Sequence, residues 1–197
     1  MSTLVTQPAP DFTAQAVTAD GSFEELTLSS LKGKYTLLFF YPLDFTFVCP
    51  SEIIAFDKAL EEFQKRDCEV LGVSVDSHFT HLAWKNTPVE NGGIGQVRYP
   101  LVADLNKSIS EAYGVLLPDG IALRGLFLID KEGIVRHSLV NDLPLGRSVA
   151  EAIRILDALQ FTEKYGDVCP ANWQQGEEAM KPSADGVAEY LAKHAGE

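Results

Sequence analysis

The chain has 197 residues, enough for one full domain or one domain with a substantial tail, and its 46% hydrophobic and 22% charged residues are the balance of an ordinary soluble globular protein. A formal net charge of −12 argues against the clustered basic surface that a polyanion binder needs, so nucleic acid and anionic membrane are not expected partners. The opening Met1 to Pro8 has no basic segment followed by an apolar core, and the longest apolar stretch, around Leu37 to Tyr41, is far too short to span a bilayer, so a cytoplasmic location is expected.

Tyr35 to Tyr41 is a continuous aromatic and aliphatic run between Lys32-Gly33-Lys34 and Pro42, which predicts a strand buried on both faces. From Pro50 to Lys65 the apolar residues Ile53, Phe56, Leu60 and Phe63 recur at spacings of three and four, predicting a helix with Pro50 at its first position. Val70 to Val75 predicts a second buried strand, and Asp76-Ser77 offer caps for a short helix through His81 and Trp84, completing a β-α-β unit. After the glycine-rich loop Asn91 to Gly95, a brief strand is expected at Leu101 to Ala103 and a short helix at Ser108 to Tyr113. Leu126 to Asp130 and Ile134 to Ser138 read as strands joined through Lys131-Glu132-Gly133, and Val149, Ile153 and Leu156 mark a closing helix. This order predicts the α/β class: a three-layer sandwich with a central mixed sheet, as in thioredoxin, over residues 1–160. Residues 161–197 have sparse apolar positions and are expected to form a C-terminal arm packed on a partner subunit.

Three cysteines make a structural disulfide framework improbable and direct attention to single thiols. Cys49 stands just before Pro50, between a buried strand and an amphipathic helix, where unpaired backbone N–H groups and the positive helix end favour a thiolate. A buried, inert cysteine is the competing reading. Thr46 can turn its hydroxyl into the same bend, or serve as an ordinary turn residue, and Pro42 can limit water access to the sulfur. The tetrad Cys49-Pro50-Ser51-Glu52 has no second cysteine, which excludes local dithiol chemistry. Cys68 reads as a structural thiol, and His78 and His81 as helix-surface residues, because no further cysteine or histidine falls at zinc-like spacing. That spacing leaves no metal expected, and Gly92-Gly93-Ile94-Gly95 lacks the lysine and hydroxyl of a phosphate loop and the spacing of a dinucleotide fingerprint, so no nucleotide cofactor is expected.

The segment Phe40-Tyr-Pro-Leu-Asp-Phe-Thr-Phe-Val-Cys-Pro-Ser-Glu52 closely resembles the active-site signature of the typical two-cysteine peroxiredoxins. The resemblance continues through Gly72-Val-Ser-Val-Asp-Ser77, Ala83-Trp-Lys-Asn-Thr87, Ala122-Leu-Arg-Gly125 and Val168-Cys-Pro-Ala-Asn-Trp173, with bacterial thioredoxin peroxidases of the alkyl hydroperoxide reductase C type the nearest in kind. It implies a peroxidase that reduces hydrogen peroxide and organic hydroperoxides in antioxidant defence. Cys49 would be the peroxidatic cysteine and Cys169 the resolving one, with Thr46, Pro42 and Arg124 completing the peroxide pocket and Glu52 supporting it. Without the resemblance, Arg124 reads as a solvated strand end.

In that chemistry the thiolate attacks one peroxide oxygen while preplaced donors receive the charge on the departing one, and the resulting sulfenic acid condenses with a second thiol. Sequence alone leaves open whether the disulfide lies within or between chains; the resemblance implies a bond between chains, hence a homodimer, and a ring of five such dimers. Phe45, Phe79 and Trp84 are candidates for the ring contact, with aromatic core packing as the competing reading. Thioredoxin or a dedicated flavoprotein would return the disulfide to thiols. Gly92-Gly93-Ile94-Gly95 and Tyr190-Leu191 nearly match two features of easily overoxidised members, implying intermediate sensitivity. A non-enzymatic redox sensor, a holdase ring and a cysteine hydrolase are the rival classes.

Overall fold

The computed structural model describes residues 3–194, and its first two strands, β1 (Thr13–Val17) and β2 (Phe23–Thr27), form an antiparallel hairpin that the hydrophobic pattern does not announce. Met1, Ser2 and residues 195–197, the extreme ends of the expected domain and arm, lie outside the described residues. The chain divides into two compact units, Met1–Val149 and Ala150–Glu197.

In the first unit the apolar run becomes β3 (Tyr35–Phe40), buried at every position. The following helix is two helices, α1 (Cys49–Lys58) and α2 (Leu60–Gln64), rather than the single one the spacing predicts. The break falls at Ala59, just past Asp57, whose carbonyl accepts Arg98 Nη2 at 2.6 Å. A long-range side chain thus occupies a carbonyl of the last turn of α1, a device that periodicity does not register. The chain continues through β4 (Cys68–Ser74), α3 (His78–Asn86), β5 (Leu101–Ala103), α4 (Ser108–Ala112), β6 (Arg124–Ile129) and β7 (Val135–Asn141). Ser77 caps α3 as expected, its hydroxyl accepting the Thr80 N–H at 3.2 Å.

The sheet order is β2-β1-β5-β4-β3-β6-β7. Strands β3, β4 and β5 run parallel, as β-α-β crossovers require, and the flanking pairs are antiparallel, giving the mixed sheet of a thioredoxin-like fold. Alternation along β3 divides the core. Leu38 and Phe40 join Leu71, Val73, Val102, Tyr113 and Phe127 on one face. Phe39, on the other, stacks on Phe56 of α1 at 4.6 Å and meets Tyr99 edge-on at 5.8 Å. Each such aromatic side chain contributes roughly 1.5–3 kcal/mol by leaving water. Gly72 makes this packing fit, since a Cβ there would stand 2.9 Å from Leu101 Cδ2 and 3.0 Å from Phe39 Cζ.

In the second unit α5 (Val149–Tyr165) runs past Phe161, further than the expected start of the arm, and stops where Gly166 takes a left-handed φ of 74°. Phe161 packs against Tyr165 and Trp173, Val168 bridges to Met180, and α6 (Ala184–His194) follows. Among the described residues no helix is long and apolar enough to cross a membrane.

Candidate active site

Beyond β3 the chain turns at buried Pro42 into a loop that ends at Cys49. A buried polar cluster fixes this loop. Asp44 accepts the Tyr41 hydroxyl at 2.9 Å and lies 2.7 Å from His81 Nδ1, while its own backbone N–H donates to Asp76 Oδ2 at 2.8 Å. His81 Nε2 is 3.2 Å from the Val102 carbonyl. Burial raises the Asp44 pKa above its ordinary value, with the bond and charge of His81 pulling the other way. His81 is therefore a fully buried anchor, not the surface residue its helix position suggests. The surface reading failed because the partner, Asp44, is 37 positions away in sequence.

Cys49 is completely buried at the start of α1, with Pro50 in the first turn. The Thr46 hydroxyl lies 2.9 Å from the Cys49 sulfur and 2.9 Å from the Leu43 carbonyl. Its single proton serves one acceptor at a time, so the hydroxyl can turn from the carbonyl to a sulfur that carries negative charge. Arg124 approaches from the start of β6, with Nη1 3.3 Å from the sulfur and 2.7 Å from Glu52 Oε2, and Nε donating to the Leu143 carbonyl at 2.6 Å. At 3% exposure Arg124 is not a solvated strand end. The fold thus links Thr46, Cys49, Arg124 and Glu52 through adjoining hydrogen bonds, and Pro42 lies buried at the start of the same loop.

Arg147 completes the arrangement and was not singled out from the sequence. Its backbone N–H and Nε each donate to Glu52 Oε1 at 2.8 Å, and Nη2 donates to Oε2 at 3.0 Å. Its Nη1 donates to the carbonyls of Phe40 and Gly125, and the guanidinium lies over the Phe39 ring at 5.1 Å. Burial pushes the Glu52 carboxyl up, but the hydrogen bonds and charge of Arg147, followed by the charge of Arg124, outweigh it and hold the group below its ordinary range. No local motif marks Arg147, because its role depends on contacts across the fold.

The other two cysteines differ in setting. Cys68, 2% exposed, has its thiol pushed up to about 12 by burial, which makes it a poor nucleophile at neutral pH. Cys169, in the second unit, is partly exposed, with its sulfur 3.7 Å from the Ala158 carbonyl and 3.8 Å from the Thr162 hydroxyl. All three cysteines are free thiols. Of the ring-contact candidates, Trp84 is fully buried, with its Nε1 donating to the Gly92 carbonyl at 2.8 Å, so core packing accounts for it; Phe45 and Phe79 are exposed. Among the described residues no group of three or more His, Cys, Asp or Glu side chains gathers to hold a metal.

Known proteins of the same build place these observations in a family. The model of the AhpC/TSA family matches residues 5–138, and that of the C-terminal domain of 1-Cys peroxiredoxin matches residues 158–193. Peroxiredoxin-2 of Cricetulus griseus is 60% identical over 189 residues, covering 95% of each chain. The reduced 2-Cys peroxiredoxin of Plasmodium vivax superposes with a TM-score of 0.96 at 59% identity, over 97% of this chain and 100% of that one. AhpC of Enterococcus faecalis superposes with a TM-score of 0.79 at 36% identity, over 86% of this chain and 100% of that one. With a thioredoxin-like sheet and a buried cysteine opening the helix after β3, the chain belongs to the AhpC/TSA family and is a peroxiredoxin, an antioxidant thiol peroxidase.

Proposed function

We propose that Cys49 is the nucleophile that reduces hydrogen peroxide and small organic hydroperoxides, and that Cys169 resolves the product as a disulfide between two chains. The observation that carries this reading is the convergence of Thr46 and Arg124 on the buried Cys49 sulfur. The thiolate attacks the terminal peroxide oxygen, the O–O bond breaks, and the departing oxygen takes a proton and leaves as water or alcohol. The Arg124 guanidinium and the Thr46 hydroxyl donate to the oxygens as charge moves between them, Pro42 shields the sulfur from water, and Glu52 holds Arg124 in place. Cys49 is left as a sulfenic acid. The Cys169 thiol then gives up its proton and attacks that sulfur, the sulfenic oxygen takes the proton and leaves as water, and a disulfide forms.

Residues 161–197 act in this scheme as the arm that presents Cys169. The working unit is a homodimer, assembled as a ring of five dimers, with exposed Phe45 and Phe79 at the ring contact. Thioredoxin or a dedicated flavoprotein reductase supplies the electrons, and the protein works in the cytoplasm without a cofactor, nucleic acid or membrane.

The test is a non-reducing gel of wild type, Cys49→Ser, Cys169→Ser and Cys68→Ser, each reduced, given one equivalent of hydrogen peroxide and then blocked. A covalent dimer is expected in wild type and Cys68→Ser and in neither other variant. A monomeric wild type carrying a stable sulfenic acid would overturn the role of Cys169.

A further inference from the structure

Helix α1 is gripped along its second half by the segment that leads into β5. Tyr99, 2% exposed, donates its hydroxyl to the Ile53 carbonyl at 2.7 Å. The Arg98 backbone N–H and Nε donate to Asp57 Oδ1 at 2.7 and 3.2 Å, its Nη2 donates to the Asp57 carbonyl at 2.6 Å, and its Nη1 lies 3.4 Å from Glu61 Oε1. The segment itself is pinned one residue earlier. The Lys85 ammonium, 1% exposed, donates to the carbonyls of Val97 at 3.0 Å, Thr18 at 2.6 Å and Ala19 at 3.2 Å, so each of its three protons has an acceptor. The hairpin turn, α3 and the segment at 97–99 are thereby tied together. Tyr99 also packs edge-on against Phe39, over whose ring Arg147 lies.

None of Lys85, Arg98 or Tyr99 bonds to Cys49, Thr46, Arg124 or Glu52, so the peroxide step does not call on them. The next step does. A second thiol can bond to the Cys49 sulfur only at about 2.05 Å, and that sulfur is completely buried. Helix α1 must therefore release it, either by unwinding its first turn or by moving as a whole. Ile53 and Asp57 are held by the grip and Glu52 by Arg147 and Arg124, which leaves Cys49 to Ser51 outside these restraints.

We infer that Arg98 and Tyr99, anchored through Lys85, are positioning residues for disulfide formation: they confine the opening of α1 to its start at Cys49 to Ser51 and so set how long the oxidised sulfur stays buried. This rests on the reading that Cys49 is oxidised and then resolved by another thiol. While the sulfenic acid stays inside, a second hydroperoxide can transfer an oxygen to it, the O–O bond breaking and water or alcohol leaving, to give the sulfinic acid. The grip therefore fixes the ratio of resolution to overoxidation.

The experiment uses full-length wild type, Arg98→Ala and Tyr99→Phe. The first removes a half-exposed side chain and the second a single oxygen, and three rates are read on each. Amide hydrogen exchange is expected to rise in residues 53–58, and the sulfinic fraction of Cys49 per turnover, read by intact mass, to fall by about 3- to 10-fold, the effect of one net hydrogen bond. The second-order rate of the first peroxide reaction is expected to stay unchanged. Unchanged exchange and sulfinic fraction in both variants would overturn the inference, as would a parallel fall in the peroxide rate, which would mean that the contacts shape the peroxide pocket instead. If wild type forms no disulfide, the two-cysteine reading fails; exchange at 53–58 then still decides whether the grip confines α1.

Discussion

Arg147 and Glu52, 95 positions apart in sequence, are joined by three hydrogen bonds of 2.8 to 3.0 Å, one of them from the Arg147 backbone. The same guanidinium bonds the carbonyls of Phe40 and Gly125, so a single side chain ties α1 to β3 and β6.

Replacing Arg147 by Met leaves the Glu52 carboxylate buried with Arg124 as its remaining charged partner, and Arg124 is drawn toward it. The expected loss of stability is ~3–5 kcal/mol by chemical denaturation, accompanied by a slower peroxide reaction. Arg147→Lys restores charge without the planar fork and should recover only part of either. Full stability in the Met variant would show that Glu52 does not need the pair.

Acid titration gives a second prediction. The folded pKa of Glu52 is depressed below 4.5, so its contribution to stability is present above that value and is lost as pH falls through the lower folded value. Asp44 has a raised folded pKa, so its ionised form opposes folding near neutral pH, and acidification relieves that effect. Since Asp44 is common to both proteins, the difference in melting temperature between wild type and Glu52→Gln isolates Glu52. That difference should be largest near neutral pH and shrink below about pH 4.5. A constant difference down to pH 3 would contradict the assignment.

Thr46 is tested by shape. Thr46→Val keeps the branched side chain and removes the proton that turns toward the sulfur, and the peroxide rate constant should fall by about 10²-fold. Thr46→Ser should retain most of it. Equal losses in both would point to packing of the methyl group, and stopped-flow Trp fluorescence provides the readout.

Cys68 should resist alkylation. With its thiol pushed up to about 12 and 2% exposed, it should stay unmodified by iodoacetamide at pH 8 in the folded protein and react on unfolding, whereas Cys169 should react in the folded state. Peptide mass mapping separates the two, and labelling of Cys68 at the rate of Cys169 would remove its structural reading.

Local pattern made much of the fold legible. The strand expected at 35–41 and found at 35–40, the helix expected from Pro50 and found from Cys49, and the Ser77 cap all depend on neighbours a few residues away. The β1–β2 hairpin was missed because Phe23-Glu-Glu-Leu-Thr27 has two charged residues of five and is mostly exposed, so no apolar alternation marks it. His81, Arg147 and the break at Ala59 were missed for a different reason: Asp44, Glu52 and Arg98 decide them, each from far along the chain. The residues gathered around Cys49 were legible through the family signature, and Arg147, outside that signature, was not.

The two arginines beside Glu52 also set a balance of charge. Two guanidinium cations and one carboxylate leave one positive charge over, which a thiolate at Cys49 cancels. On the proposed chemistry, conversion of that sulfur to a neutral sulfenic acid would remove the cancelling charge and leave a buried cation uncompensated, an arrangement costly to keep. On the proposed reading, the charges gathered at Glu52 balance only while the Cys49 sulfur is a thiolate, and each turnover upsets that balance.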